Sequence, residues 1–559
     1  MKSMTDQLTI MLAQIPQAVG HCRRNADAML EIRQKAGKVD LILFPELQLI
    51  GYPPEDLVLK PSLLQNAKEE LERLALATSD GGAAMLVGTV WQEKGRIFNA
   101  VALLDQGKIA AIRYKHDLPN YGTFDEKRIF SAGSLPEPVL FRGVSLGIPI
   151  CEDIWTEKLC AHLKARGAEI LLVPNGSPFE SGKYPVRRKV VTDRVKETGL
   201  PCLYLNRVGG QDEVVFDGGS FVVNRDGAVP VSLPQWQADC YVTHWHKTEE
   251  GWSCDEGLQS EIPEGEDGRL SDIYQAMMMG LGDYVRQNGF SGVLLGLSGG
   301  IDSALSAAVA VDALGADKVW CVMLPSRYTS QESLDDARAC AEMLGCRLDS
   351  VPINPAVEAI DGMLAPLFSG KKPDITEENI QSRLRGVVLM AISNKFSPMV
   401  LTTGNKSEMA VGYATLYGDM NGGYSVLKDL YKSDVFKVSR WRNSHKPAHA
   451  LGSDGYVMPD RVITKPPSAE LREDQKDSDS LPPYDILDAV LHGLIEEDLS
   501  CSDLVNRGYD SDLVTRIENL LHRAEYKRRQ APPGVKLGSR NFGRDRRYPL
   551  SHQFRSSHS

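Results

Sequence analysis

The stretch GVLLGLSGGIDSALSAAV, residues 292–309, decides how the second half of the chain folds. Its apolar run GVLLGL is short enough for a buried strand, and the alanine-rich segment after Asp302 has helical character. Between them the turn Ser298-Gly299-Gly300 carries almost no side-chain bulk. Small residues at a strand-to-helix turn let backbone N–H groups approach a ligand, and the following helix N-terminus adds a field that favours anions. A polyphosphate is expected there. No lysine follows the glycines, which excludes the GxxxxGK[ST] loop, and the spacing is not the GxGxxG of dinucleotide folds.

Strand and helix alternate outward from this turn. An amphipathic helix over about 270–287 precedes it; KVWCVMLP, a helix from about Gln331 and SVPI follow it. That order indicates a parallel, doubly wound, Rossmann-like sheet. The first half, from Leu8 to about Asn224, is different: LTIMLAQI, VDLILFPE, AMLVGTVW, VSLGIPIC, AEILLVPN, PCLYLNRV and SFVVN read as strands. CRRNADAMLEIRQKAG and VRRKVVTDRVKETG between them read as helices, so the chain is α/β throughout. Residues 246–268 lose apolar periodicity and gain acid and glycine. We expect domains over 1–250 and 269–559, with 251–268 as the linker. Residues 443–483, rich in Pro, Gly, Ser and charge, suit a mobile excursion over a site, and the basic stretch 527–547 suits a solvated arm except at Lys527.

With 559 residues the chain exceeds what one hydrophobic core normally serves. Its 42% hydrophobic and 25% charged residues are those of a globular protein, and no apolar run approaches the roughly 20 residues that span a bilayer. The start MKSMTDQLTIMLAQIP has no continuous apolar secretion signal, so a cytoplasmic location is expected. The ten cysteines are scattered without zinc-ligand spacing. A net charge of −11 lacks the positive surface that nucleic acid demands.

Three stretches of the first half carry chemistry. LILFPE ends on Glu46, IRYKHDLPNYGTFDEKRIF carries Lys115 at a strand end followed by Tyr121 and Glu126, and GIPICEDIW places Cys151 after an apolar strand. Amide hydrolysis through a thioester needs such a set: a thiol activated by neighbouring charge, a carboxylate to take its proton, and a cation for the developing oxyanion. Each residue alone reads as readily as a surface charge or a core thiol. Together, in these contexts, they resemble the nitrilase superfamily, whose Glu–Lys–Cys triad sits on an αββα sandwich; the resemblance covers about residues 8–240. Within it the chain is most similar to the glutaminase domains of NAD synthetases. That resemblance implies Glu46, Lys115 and Cys151 as catalytic, Glu126 as a supporting carboxylate, and Tyr121, Ser177 and Lys183 as glutamine contacts.

The SGGIDS turn in turn resembles the loop of PP-loop ATP pyrophosphatases, which cleave ATP to AMP and pyrophosphate. That resemblance implies ATP contacts from Gly296, Leu297, Ser298, Gly299, Gly300, Ile301, Asp302 and Ser303. The loop does not name the acceptor, because GMP synthetases, asparagine synthetases and tRNA-modifying enzymes share it. ENIQSRLRG, LTTGNKSEMAVGYATLYGDMNGGYSVLKDLYKSDVF, KPPSAELREDQKDSDSLPPYDILD and EYKRRQAPPG, in this order, are similar to the NAD synthetase family. By that resemblance Thr403 meets ATP, Asn379, Glu408 and Lys527 meet deamido-NAD, and Asp302 and Glu408 ligate Mg²⁺. The implied partners are deamido-NAD, ATP and L-glutamine, with neither nucleic acid nor membrane, and a homo-oligomer is expected.

Overall fold

The computed structural model describes residues 6–556 and divides into two compact units. One comprises the chain up to Gln211 with Val215–Ile262, the other Asp212–Val214 with the chain from Pro263 onward.

The first unit is built on two sheets. One has the spatial order Gly251–Cys254, Asp239–Thr248, Gln7–Gln14, Leu41–Leu43, Ala84–Glu93, Arg96–Asp105, Lys108–Tyr114. The other runs Val231–Ser232, Phe221–Val223, Cys202–Asn206, Ile170–Asn175, Val144–Gly147, Val139–Phe141. Alternate residues of both, among them Ile10, Leu12, Leu43, Leu86 and Val101 from the first and Leu146, Leu172, Leu203 and Val222 from the second, make one buried core. The other face of the second sheet, including Leu171, Val173, Cys202 and Phe221, packs on helices Glu157–Ala165 and Lys183–Thr198. Strands covered on both faces read as continuous apolar runs, which is why LILF and ILLV are apolar without alternation. Helices Cys22–Lys35 and Pro61–Ala77 pack together beside the first sheet, completing the αββα layering.

The second unit centres on a five-stranded sheet in the order Arg347–Ser350, Val319–Met323, Val293–Gly296, Met399–Thr402, Tyr424–Ser425, every neighbouring pair parallel. Strand order reverses beside Val293–Gly296, and the crevice beyond the carboxyl ends of the strands at such a switch point is where doubly wound sheets bind ligands. Helix Ile301–Leu314 leaves that strand by the Ser-Gly-Gly turn, with every residue but Asp302 buried. Gly299 has φ +79, and a Cβ there would meet the Ser333 carbonyl at 2.2 Å, so the turn closes only on glycine. A separate core formed by helices Tyr484–Ile495, Cys501–Asn506 and Ser511–Arg523 packs against Lys406–Val411.

Three stretches differ from their sequence reading. Within 251–268, Gly251–Cys254 is a strand paired with Asp239–Thr248, its Trp252 and Cys254 buried in the first core, and a helix starts at Gly265. Two inward residues in four are too short a pattern to show among charges. The basic stretch 527–547 is not a solvated arm: Arg528 and Arg546 are buried on the single carboxylate Glu525, and Lys536 is buried on Asp545. Charges that pair can be buried, and composition does not show the pairing. The excursion 443–483 is pinned at several points, with Arg461 and Lys465 on the buried Asp336 and Glu470 accepting from the Ser330 and Ser333 hydroxyls.

Candidate functional sites

In the first unit the chemistry gathers where strands end. Leu41–Leu43 leads through Phe44 and Pro45 to Glu46, Lys108–Tyr114 delivers Lys115, and Cys151 opens a tight helical turn, Cys151–Ile154, beyond Val144–Gly147. Lys115 Nζ donates to Glu46 Oε1 at 2.8 Å and to Glu126 Oε1 at 2.9 Å, with no part of Lys115 or Glu46 exposed. Glu46 also accepts from Asn99 Nδ2 at 2.7 Å and from the Gly176 N–H at 2.8 Å, and Tyr52 donates its hydroxyl to Glu126 at 2.9 Å. Cys151 has φ +49, a left-handed conformation that non-glycine residues adopt at a cost and that clusters at functional sites.

The electrostatics divide the work among these groups. Burial favours a neutral Lys115, but Glu126 and Glu46 outweigh it and hold the ammonium well above its usual range. Burial pushes Glu126 up to about 7, Lys115 opposing and Glu46 adding to the rise; Glu126 Oε2 is buried without a partner, as suits a carboxyl that can carry a proton. Burial and then the Glu46 charge push the Cys151 thiol well above its usual value, Lys115 opposing. The thiol therefore holds its proton more firmly than a free cysteine does. Asp153 holds the turn to the Lys115 strand end: Oδ1 accepts from the N–H groups of His116 and Asp117, and Oδ2 from that of Ile150.

Of the expected glutamine contacts, Tyr121 is exposed and donates its hydroxyl to both oxygens of Glu152, at 3.0 and 2.9 Å. Lys183 begins helix Lys183–Thr198 with its ammonium 5.9 Å from the centre of the Phe124 ring. Ser177 is buried, its hydroxyl accepting from Arg187 Nε at 3.1 Å. Sequence reasoning missed Asn99, Tyr52, Asp153 and Arg187. Asn99 carried a signal, a lone amide inside the apolar strand RIFNAVALLD.

In the second unit, Ser298, Gly300 and Ser303 form a closed set at the turn: Ser303 Oγ accepts from the Ser298 N–H and donates to the Gly300 carbonyl, and Ser298 Oγ accepts from the Gly300 N–H. Asp302 faces the end of strand Met399–Thr402, which continues through Thr403 to Asn405. Asn405 Oδ1 caps helix Lys406–Val411 while its Nδ2 donates to Asp302 Oδ1 at 2.9 Å. Lys432 donates to Asp302 Oδ2 and, at 3.2 Å, to Glu408 Oε1, so one ammonium joins both carboxylates expected to ligate metal. Burial pushes Glu408 up to about 7, with Lys432 opposing. Asn379 and Lys527 meet on the segment after that helix: Asn379 Oδ1 accepts from the Thr415 hydroxyl, and Lys527 donates to the carbonyls of Gly412 and Ala414 at 2.8 Å each. Among the described residues no group of three His, Cys, Asp or Glu side chains is placed to hold a metal ion unaided. The donor set here is two hard carboxylate oxygens, which suits Mg²⁺ completed by phosphate oxygens and water.

Residues 9–244 match the carbon-nitrogen hydrolase family model, and residues 273–531 match the NAD synthase model. The chain is similar to the glutamine-dependent NAD(+) synthetase of Rhodobacter capsulatus, 50% identical over 99% of this chain and 100% of the relative. It is 45% identical to the enzyme of the same description from Acinetobacter baylyi, over 98% of each. The solved structure of glutamine-dependent NAD+ synthetase from Acinetobacter baumannii in complex with ADP superposes with a TM-score of 0.77 at 41% identity, covering 97% of this chain and 98% of that one.

Proposed function

From the premise that this chain belongs to the glutamine-dependent NAD(+) synthetase family, we propose that it releases ammonia from glutamine in its first unit and uses it in the second to amidate deamido-NAD at the expense of ATP. The observation that carries the first half is the fully buried Lys115, bridging Glu46 and Glu126 beside Cys151.

Glu46 takes the thiol proton as Cys151 Sγ attacks the amide carbon, and the Lys115 ammonium stabilises the oxyanion. Collapse breaks the C–N bond, and the proton on Glu46 leaves with the ammonia. Glu46 then takes a proton from water as it attacks the thioester, giving glutamate and the thiol. Glu126, neutral or ionised near pH 7, supports the ammonium on its far side. Tyr121, Ser177 and Lys183 hold the amino-acid end of glutamine.

In the second unit ATP lies along the turn from Gly296 to Ser303 with Thr403 beside it, and deamido-NAD meets Asn379, Glu408 and Lys527. The nicotinate carboxylate attacks the α-phosphate, pyrophosphate departs, and ammonia displaces AMP from the acyl-adenylate to give NAD. Adenylation is required because a carboxylate is a poor electrophile. Asp302 and Glu408 would hold Mg²⁺, which when bound neutralises charge on the phosphates. We assign the ammonia-releasing role to the first unit and the amidating role to the second, the location to the cytoplasm and the working form to a homo-oligomer. Incubating the purified chain with glutamine, ATP and deamido-NAD should yield glutamate, AMP, pyrophosphate and NAD in equal amounts. No NAD from this mixture, or amidation of xanthosine monophosphate when it replaces deamido-NAD, would overturn the assignment.

A further inference from the structure

Behind Ser177 lies a buried pair that the reaction itself does not use. Arg187, on helix Lys183–Thr198, is 2% exposed and Asp217 is 1% exposed. Arg187 Nη1 donates to both Asp217 oxygens, at 2.7 and 2.8 Å. Its Nη2 donates to the carbonyls of Ser177 and Pro178, at 3.0 and 2.7 Å, and its Nε to Ser177 Oγ at 3.1 Å. These contacts match in number the five N–H donors of a guanidinium. Asp217 thus fixes the plane of the fork, and the remaining donors grip one short loop.

That loop has two ends in the candidate site. Its Gly176 N–H donates to Glu46 Oε2, and its Ser177 N–H and carbonyl are both bonded to the Asn206 amide. Nε–H donates to Ser177 Oγ and Nη2 to the Ser177 carbonyl, so the guanidinium fixes both the side chain and the backbone of this residue. We propose that Arg187, locked by Asp217, is a positioning residue for the glutamine site: it sets the 176–178 loop and holds Ser177 where it meets the amino-acid end of glutamine. The inference rests on the glutaminase reading above and adds to it the device that fixes one of its substrate contacts.

Lysine at 187 keeps the charge opposite Asp217 but cannot reproduce the fork. The test is glutamine hydrolysis by the full chain, wild type against Ser177→Ala, Arg187→Lys and the double variant. Each single change should raise KM for glutamine about tenfold, the scale of one lost hydrogen bond, with kcat within about threefold. If Arg187 acts through Ser177, the double variant should be no worse than the poorer single by more than about twofold. Losses that multiply to about a hundredfold, or that fall on kcat with KM unchanged, would overturn the proposal. Urea unfolding followed by tryptophan fluorescence reports folding of the first unit. Should Arg187→Lys lose it, Asp217→Asn takes its place in the same cycle and decides by the same criterion. A wild-type chain that does not hydrolyse glutamine would instead sink the glutaminase reading.

Discussion

Replacing Lys115 by methionine keeps the length of the side chain and removes the one charge that Glu46 and Glu126 share. At separations of 2.8 and 2.9 Å and an effective dielectric constant near 20, each ammonium–carboxylate attraction is about 6 kcal/mol. Desolvation offsets most of this, and removing one partner from a buried pair costs about 3–5 kcal/mol in net stability. The variant has one escape, which is to protonate Glu126. That carboxyl already lies near 7 in the wild type against 4.5 unperturbed, and losing Lys115 raises it further. A folded-state carboxyl pKa above the unfolded value means that the folded chain binds more protons, so its contribution to stability falls as pH rises. Below about 7 both proteins hold the proton; above it only the variant does. The deficit of Lys115→Met should therefore be nearly flat below pH 7 and grow by about 1.4 kcal/mol per pH unit above it, or about 2 kcal/mol between pH 6.5 and 8.5. Urea unfolding followed by tryptophan fluorescence reports on this unit, which contains Trp91, Trp155, Trp236, Trp245 and Trp252. A deficit that is absent, or equal at the two pH values, would refute the assignment of a shared buried charge.

Further outcomes follow from the same geometry. Cys151→Ala should abolish glutamine-supported NAD formation and leave ammonium-supported formation intact; glutamine activity in that variant would remove Cys151 as nucleophile. Asp302→Ala should reduce both activities at least a hundredfold, read as pyrophosphate release, because both pass through the ATP step. Trp252→Ala should destabilise the first unit by about 3–5 kcal/mol, as expected for truncating a large buried aromatic side chain, measured by urea unfolding; a loss under about 1 kcal/mol would return Gly251–Cys254 to the linker.

The sequence showed most where one residue type had to serve one purpose. Gly299 cannot carry a side chain against Ser333, and Asp302 is the one residue of its helix that is not buried, so the SGGIDS turn was legible as a tight strand-to-helix turn. The strands of the sandwich were legible because burial on both faces leaves unbroken apolar runs. Gly251–Cys254 was not, since a four-residue strand shows only two inward positions, and hydrogen bonding to its neighbour rather than composition makes it a strand.

In the candidate site the sequence pointed to Glu46, Lys115, Glu126 and Cys151, which the fold brings together, and was silent on the residues around them, and the reason is physical. A nucleophile, a base and a cation are rare residue types at strand ends, and their side chains announce a chemistry. Supports act through partners that only the fold supplies: Asn99 reaches Glu46 across 53 positions, Arg187 meets Asp217 across 30, and Lys432 joins Asp302 to Glu408 across 130 and 24. An isolated arginine in VRRKVV or lysine in DLYKSD looks like any solvated charge. What separates them is burial, because a charge withdrawn from water needs partners for its donors, and those partners restrict where it can sit. Arg187 and Lys432 are thus held in place by the same desolvation that makes them costly, and each fixes groups of a candidate site: the loop carrying Gly176 and Ser177 in one unit, and a pair of carboxylates in the other.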